Sequence, residues 1–171
     1  MAYKNAISER RTAWRAFTSI EQNKKYDKYK GSIQAYKDKV VSEMQSICDK
    51  VVEVIDKYFL QKAKDAESKV FFYKMKADYF RYMAEVTNGA KLDQIKRQAL
   101  EIYEKANEEA SKLSISHPIR LGLALNYSVF YFEIMNEPKK ACDLAKGVFD
   151  SAINEIDDVD EAQYKDSAMI L

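Results

Sequence analysis

Turn chemistry in this chain is concentrated in four places: Gly31, Asn88-Gly89, Ser116-His117-Pro118 and Asn136-Glu137-Pro138. Between them apolar residues recur at helical spacing from end to end, and 4 Gly and 2 Pro leave little material for the tight turns of a sheet. The pattern predicts about seven helices, near 2–23, 26–61, 65–87, 91–114, 118–136, 138–154 and 160–171. Connections this short force neighbouring helices to run antiparallel, so the predicted fold is all-α, a bundle stacked from helical hairpins. At 171 residues the chain reads as one domain, which buries roughly 70% of its unfolded surface without help from a metal or disulfide. No fixed-period repeat is visible.

Net charge excludes some partners. Lys plus Arg total 28 against 27 Asp plus Glu, so no general attraction to nucleic acid or to an anionic membrane is expected. The charge is segregated, however: residues 1–30 hold eight Lys or Arg against three acids, and residues 150–166 hold seven acids against one Lys. The most apolar run, Ile119 to Met135, is too short for a membrane span and carries Arg120 and Glu133. Cys48 and Cys142 show no metal-ligand or redox spacing and read as small core residues. Without a signal peptide, they place the chain in a reducing, cytoplasmic compartment. His117, the single histidine, reads as a helix-entry cap, and the acidic run from Asp157 to Glu161 as a solvated helix start. No catalytic residue, metal or cofactor is predicted.

Three helices carry polar groups beside their apolar stripes. In the first, Tyr3, Ile7, Trp14 and Phe17 form the stripe, while Lys4, Arg11 and Arg15 share a flank at spacings of seven and four. Alone, that row reads as snorkelling surface cations. The third helix sets Lys74, Asp78, Arg81, Tyr82 and Glu85 among five aromatic residues. Here Asp78 and Arg81 are placed to pair at i, i+3. The fifth, apolar on nearly every side, keeps Asn126 and Glu133 on one face with Gly122 and Val129. Burying those two without partners would cost about 1–3 kcal/mol each, so they are expected to line a groove.

Brought together on one concave surface, these groups suit a phosphorylated peptide. Arg matches phosphate with two parallel bonds, Lys adds a point charge, a tyrosine hydroxyl adds a donor, and an Asn amide can pair with an extended backbone.

The segments AYKNAISERRTAWRAFTSIEQ, ESKVFFYKMKADYFRYMAEV, SHPIRLGLALNYSVFYFEIMNEPKKACDLAKGVFDSAI and YKDSAMIL closely resemble the 14-3-3 proteins over the whole chain. The resemblance implies a non-enzymatic adaptor that binds phosphoserine or phosphothreonine motifs of client proteins. By position it implies phosphate held by Lys4, Arg11, Arg81 and Tyr82 with Lys74 close by, and peptide backbone and neighbouring side chains held by Asn126 and Glu133. Leu125, Val129 and Ile170 would form part of the apolar wall. Relative to the family pattern the chain reads as an incomplete domain. Two helices that pack against a partner subunit would precede Met1, and a longer last helix would follow Leu171. The expectation is a weaker or rearranged homo- or heterodimer, or a monomer, with phosphate capture surviving better than peptide grip. Ala13 stands where the family commonly has a regulatory Ser, and ISERR lacks the usual glycine.

Two other readings stay open on the residues. One is a tetratricopeptide-like scaffold for unphosphorylated peptides, whose repeat signature is absent. The other is an enzyme using Glu85 or Glu133 as general base, for which no partner or cofactor motif is present.

Overall fold

The computed structural model of the chain describes residues 2–155 and 161–170. They form seven α-helices: α1 (Ala2–Glu21), α2 (Lys30–Val54), α3 (Ala66–Glu85), α4 (Gly89–Ala110), α5 (Pro118–Glu133), α6 (Pro138–Ile153) and α7 (Glu161–Ala168). No strand occurs among the described residues. The acidic run predicted as a solvated helix start lies, apart from Glu161, outside them.

The first break falls earlier than Gly31, which sits inside α2. A 3-10 helix, Lys24–Tyr29, fills the gap instead, opened by Asn23, whose Oδ1 accepts from the Lys25 N–H at 3.0 Å. The single helix predicted over 26–61 is therefore composite. Beyond α2 the rod continues as a π-helix, Ile55–Phe59, where Leu60 N–H bonds to Ile55 O at 2.9 Å. Short-range pattern cannot separate these hydrogen-bond registers, because each exposes nearly the same faces.

The other boundaries follow capping chemistry. Asp65 accepts the Ser68 N–H at 2.7 Å and opens α3. His117 accepts the Ile119 N–H through Nδ1 at 3.3 Å and is followed by Pro118 at the first helical position, the capping role its position predicts. Gly89, at φ +65°, enters α4 in a conformation that a side chain would strain. Asn136, also left-handed at φ 56°, follows α5.

The core is shared by α2 to α5. Met44 and Cys48 of α2 and Ile55 of the π-helix meet Val70, Ala77 and Met83 of α3, and Ala99, Tyr103 and Ala106 of α4, all at most 3% exposed. Small residues on α4 let it approach α3 closely, and the three-residue link makes the two an antiparallel hairpin. Tyr103 stacks on Tyr127 of α5 at 4.9 Å between centroids, with Phe130 at 5.2 Å, which ties α5 to α4. Helix α1 packs on α2 and seals the core with Ile7, 1% exposed. Cys142 departs from the core reading: it is exposed, because the buried side of α6 is carried by Ala141 and Ala152. No helix among the described residues is long and apolar enough to cross a membrane.

Candidate functional site

The spacing of seven and four puts Lys4, Arg11 and Arg15 on one flank of α1, and burial of Ile7 turns that flank toward α3. From α3 come Lys74, Asp78, Arg81, Tyr82 and Glu85, and from α5 Asn126 and Glu133. Lys4, Ile7, Lys74, Asp78, Tyr82 and Asn126 surround a hollow of about 280 Å³.

Next to Tyr82, but not among the residues that line this hollow, the Arg11 guanidinium forks onto Glu85, with Nε donating to Oε2 at 3.0 Å and Nη2 to Oε1 at 2.7 Å. The same guanidinium lies 4.1 Å from the centroid of the Tyr82 ring, and that of Arg81 lies 4.8 Å from it. Two cations held on one ring would repel each other strongly without a counter-charge. Glu85 supplies it: Arg81 Nη1 is 3.5 Å from Oε1, and Arg15 Nη2 donates to Oε2 at 3.3 Å. Glu133 Oε2 adds a longer contact to Arg81 Nη1 at 3.8 Å. Both oxygens of Glu85 are thus occupied by guanidinium donors, which removes the structural basis for reading it as a general base.

At the other side the predicted Asp78–Arg81 pair is loose, at 4.0 Å. Asp78, 6% exposed, instead accepts the Tyr103 hydroxyl at 2.7 Å, Lys74 Nζ at 3.0 Å and Asn126 Nδ2 at 2.9 and 2.8 Å. A buried carboxylate needs this many donors, and α3, α4 and α5 each contribute one. Tyr103 was absent from the sequence-predicted site. Its signal was there in principle: a tyrosine among the alanines of a buried helix face must find a partner for its hydroxyl.

Burial pushes the Tyr82 hydroxyl pKa up, with Asp78 adding to the effect. Burial and Asp78 raise that of Tyr103 well above the ordinary range. Burial by itself would lower the pKa of Arg81, but Tyr103, Asp78 and Tyr82 around it leave it raised, so it stays a cation. Five cations, Lys4, Arg11, Arg15, Lys74 and Arg81, therefore face three carboxylates, Asp78, Glu85 and Glu133, and the cluster keeps an excess of positive charge. Arg81 Nε is buried with no hydrogen-bond partner among the described residues, an unspent donor on a side chain only 8% exposed.

Of the expected apolar wall, Leu125 and Ile170 line a second hollow of about 370 Å³ with Leu121 and Phe149. Val129 is half-buried on α5 and does not line it.

Residues 1–171 match the 14-3-3 protein family. The 14-3-3 protein beta/alpha of Mus musculus is 47% identical over 173 residues, an alignment covering 100% of this chain and 70% of that relative. The Homo sapiens protein of the same name aligns with the same identity and coverage. The checkpoint signal transducer rad24 of Schizosaccharomyces pombe is 48% identical over 178 residues, covering 100% of this chain and 65% of its own length. With the family matched from end to end and all-helical architecture throughout the described residues, the chain belongs to the 14-3-3 family.

Proposed function

We propose that the basic hollow between α1, α3 and α5 captures phosphoserine- or phosphothreonine-containing segments of client proteins. Members of this family are non-enzymatic adaptors, so the chemistry is recognition and restraint of the partner's shape rather than turnover. The observation that carries the reading is the pair of guanidiniums, Arg11 and Arg81, held on the two sides of one charge cluster by Tyr82 and Glu85. They are fixed before any ligand arrives, so little side-chain entropy is lost on binding.

In this reading a doubly ionised phosphate ester sits against Arg11 and Arg81 with Lys4 at the rim, where no carboxylate pairs with it among the described residues. Lys74 lies close by, and the Tyr82 hydroxyl adds a donor. Asn126 and Glu133 face the peptide that carries the ester, and Leu125 and Ile170 supply the apolar surface beyond. A phosphate offers three strong acceptors and about −1.5 to −2 charges, which matches an excess of cations better than a neutral segment does.

The test is fluorescence anisotropy with one peptide in phosphorylated and unmodified form. The parent chain should prefer the phosphorylated form, and Arg11→Ala or Arg81→Ala should each weaken it by about ten- to a hundredfold, the worth of one or two charged hydrogen bonds. Equal binding of both peptides to the parent chain overturns the reading.

A further inference from the structure

Four of the seven residues from Lys24 to Lys30 are lysines, and the single acid among them, Asp27, is matched by Lys30 at 3.1 Å. Lys24, Lys25 and Lys28 are exposed and have no carboxylate partner among the described residues. The 3-10 helix that carries them closes the end of the α1–α2 hairpin, about 25 Å along α1 from Lys4. It borders neither of the hollows described above. The near balance of 28 cations and 27 anions over the whole chain therefore conceals a local surplus of positive charge at one tip.

Aromatic rings are set among these charges. Lys25 Nζ lies 5.7 Å from the centroid of the Tyr26 ring, and Lys28 Nζ lies 4.8 Å from that of Tyr29. Tyr29 is 50% exposed, and Tyr36, 46% exposed on the second turn of α2, is braced by Phe17 of α1 at 4.5 Å between centroids. Lysine and tyrosine each join an apolar body to a polar end, which suits both to a boundary between water and hydrocarbon. The tip holds no arginine, the side chain whose rigid fork recognises one phosphate. Its lysines are point charges on flexible stems, which answer a diffuse negative potential rather than a single bound anion.

We infer that this tip is an electrostatic docking surface for an anionic bilayer. Lys24, Lys25 and Lys28 meet the lipid headgroups, and Tyr29 settles at headgroup level, with no segment crossing the membrane. The surface is separate from the basic hollow, so the two can be occupied together. Each lysine at such a surface is worth about fivefold in affinity at low salt.

The experiment is co-sedimentation of the full chain with vesicles of phosphatidylcholine, alone or with about one-third phosphatidylserine. The parent chain should bind the anionic vesicles and not the neutral ones, and about 0.5 M salt should release it, because screening then shortens the reach of each charge to a few ångströms. Replacing the three lysines together, Lys24→Gln, Lys25→Gln and Lys28→Gln, should weaken binding to anionic vesicles by more than about tenfold. Tyr29→Ala should weaken it by about two- to fivefold. Phosphopeptide affinity in the anisotropy titration should be unchanged in both variants. A parent chain that leaves anionic vesicles unbound overturns the inference, as does a triple variant that binds them as well as the parent. So does a parent that ignores vesicles but binds a single-stranded oligouridylate through the same lysines, which would assign the tip to nucleic acid. Saturating phosphopeptide that strips the parent chain from the vesicles also overturns it, because the headgroups would then be occupying the hollow.

Discussion

Glu85 grips Arg11 through two parallel hydrogen bonds of 3.0 and 2.7 Å, across 74 positions of sequence, while that guanidinium rests on the Tyr82 ring. The pair joins α1 to the end of α3 and sets the spacing of the basic cluster. A ligand that binds there meets cations already partly neutralised, so Glu85 both orders the site and moderates its charge.

Replacing Glu85 by Gln leaves Arg11, Arg15 and Arg81 close together with no shared counter-charge. The expected loss of stability is about 1–3 kcal/mol, read from urea denaturation. Inorganic phosphate should restore more stability to Glu85→Gln than to the parent chain, because it supplies the missing anion. Identical phosphate responses would show that the three guanidiniums do not depend on Glu85.

Tyr103→Phe keeps the ring that stacks on Tyr127 at 4.9 Å and removes only the donor that reaches Asp78 at 2.7 Å. A buried carboxylate losing one bond should cost roughly 1–3 kcal/mol, with the helical circular dichroism unchanged. A neutral result would mean that water replaces the hydroxyl at Asp78.

Burial, with Asp49 adding to it, pushes the Cys48 thiol up to about 12, whereas an unfolded cysteine ionises near 9.0. The folded state therefore holds its proton in a range where the unfolded state has lost it. The stabilising contribution is complete below the unfolded value and is lost as pH rises from there toward the folded one. Thermal melts from about pH 8 to about pH 11 should fall more steeply for the parent chain than for Cys48→Ala. Under native conditions a thiol reagent should modify exposed Cys142 quickly and buried Cys48 only on unfolding.

A methyl group at Gly122 would meet Lys74 Cε at 3.7 Å, an ordinary contact. Gly122→Ala should stabilise α5 by about 0.5–1 kcal/mol and leave phosphopeptide affinity close to that of the parent. Gly122→Leu has no such room, so it should displace Lys74 from Asp78 and weaken binding in the anisotropy titration. Unchanged affinity for Gly122→Leu would place Lys74 outside the working site.

Sequence alone determined that the chain is helical, where most of its helices begin and end, and which faces carry charge, because these depend on local rules. Capping at Asp65 and His117 acts over three residues, and the flank of Lys4, Arg11 and Arg15 follows from helical pitch. The family resemblance supplied the candidate site residues as a set. Tertiary structure decided how those groups divide their hydrogen bonds. Asp78 could have paired with Arg81 along its own helix, but Tyr103 and Asn126 arrive from α4 and α5 with shorter bonds and claim it. Arg81 consequently turns to Glu85, whose chief partner, Arg11, comes from α1. A carboxylate binds whichever donors lie within about 3 Å with the right geometry, and those distances come into existence only when the helices pack.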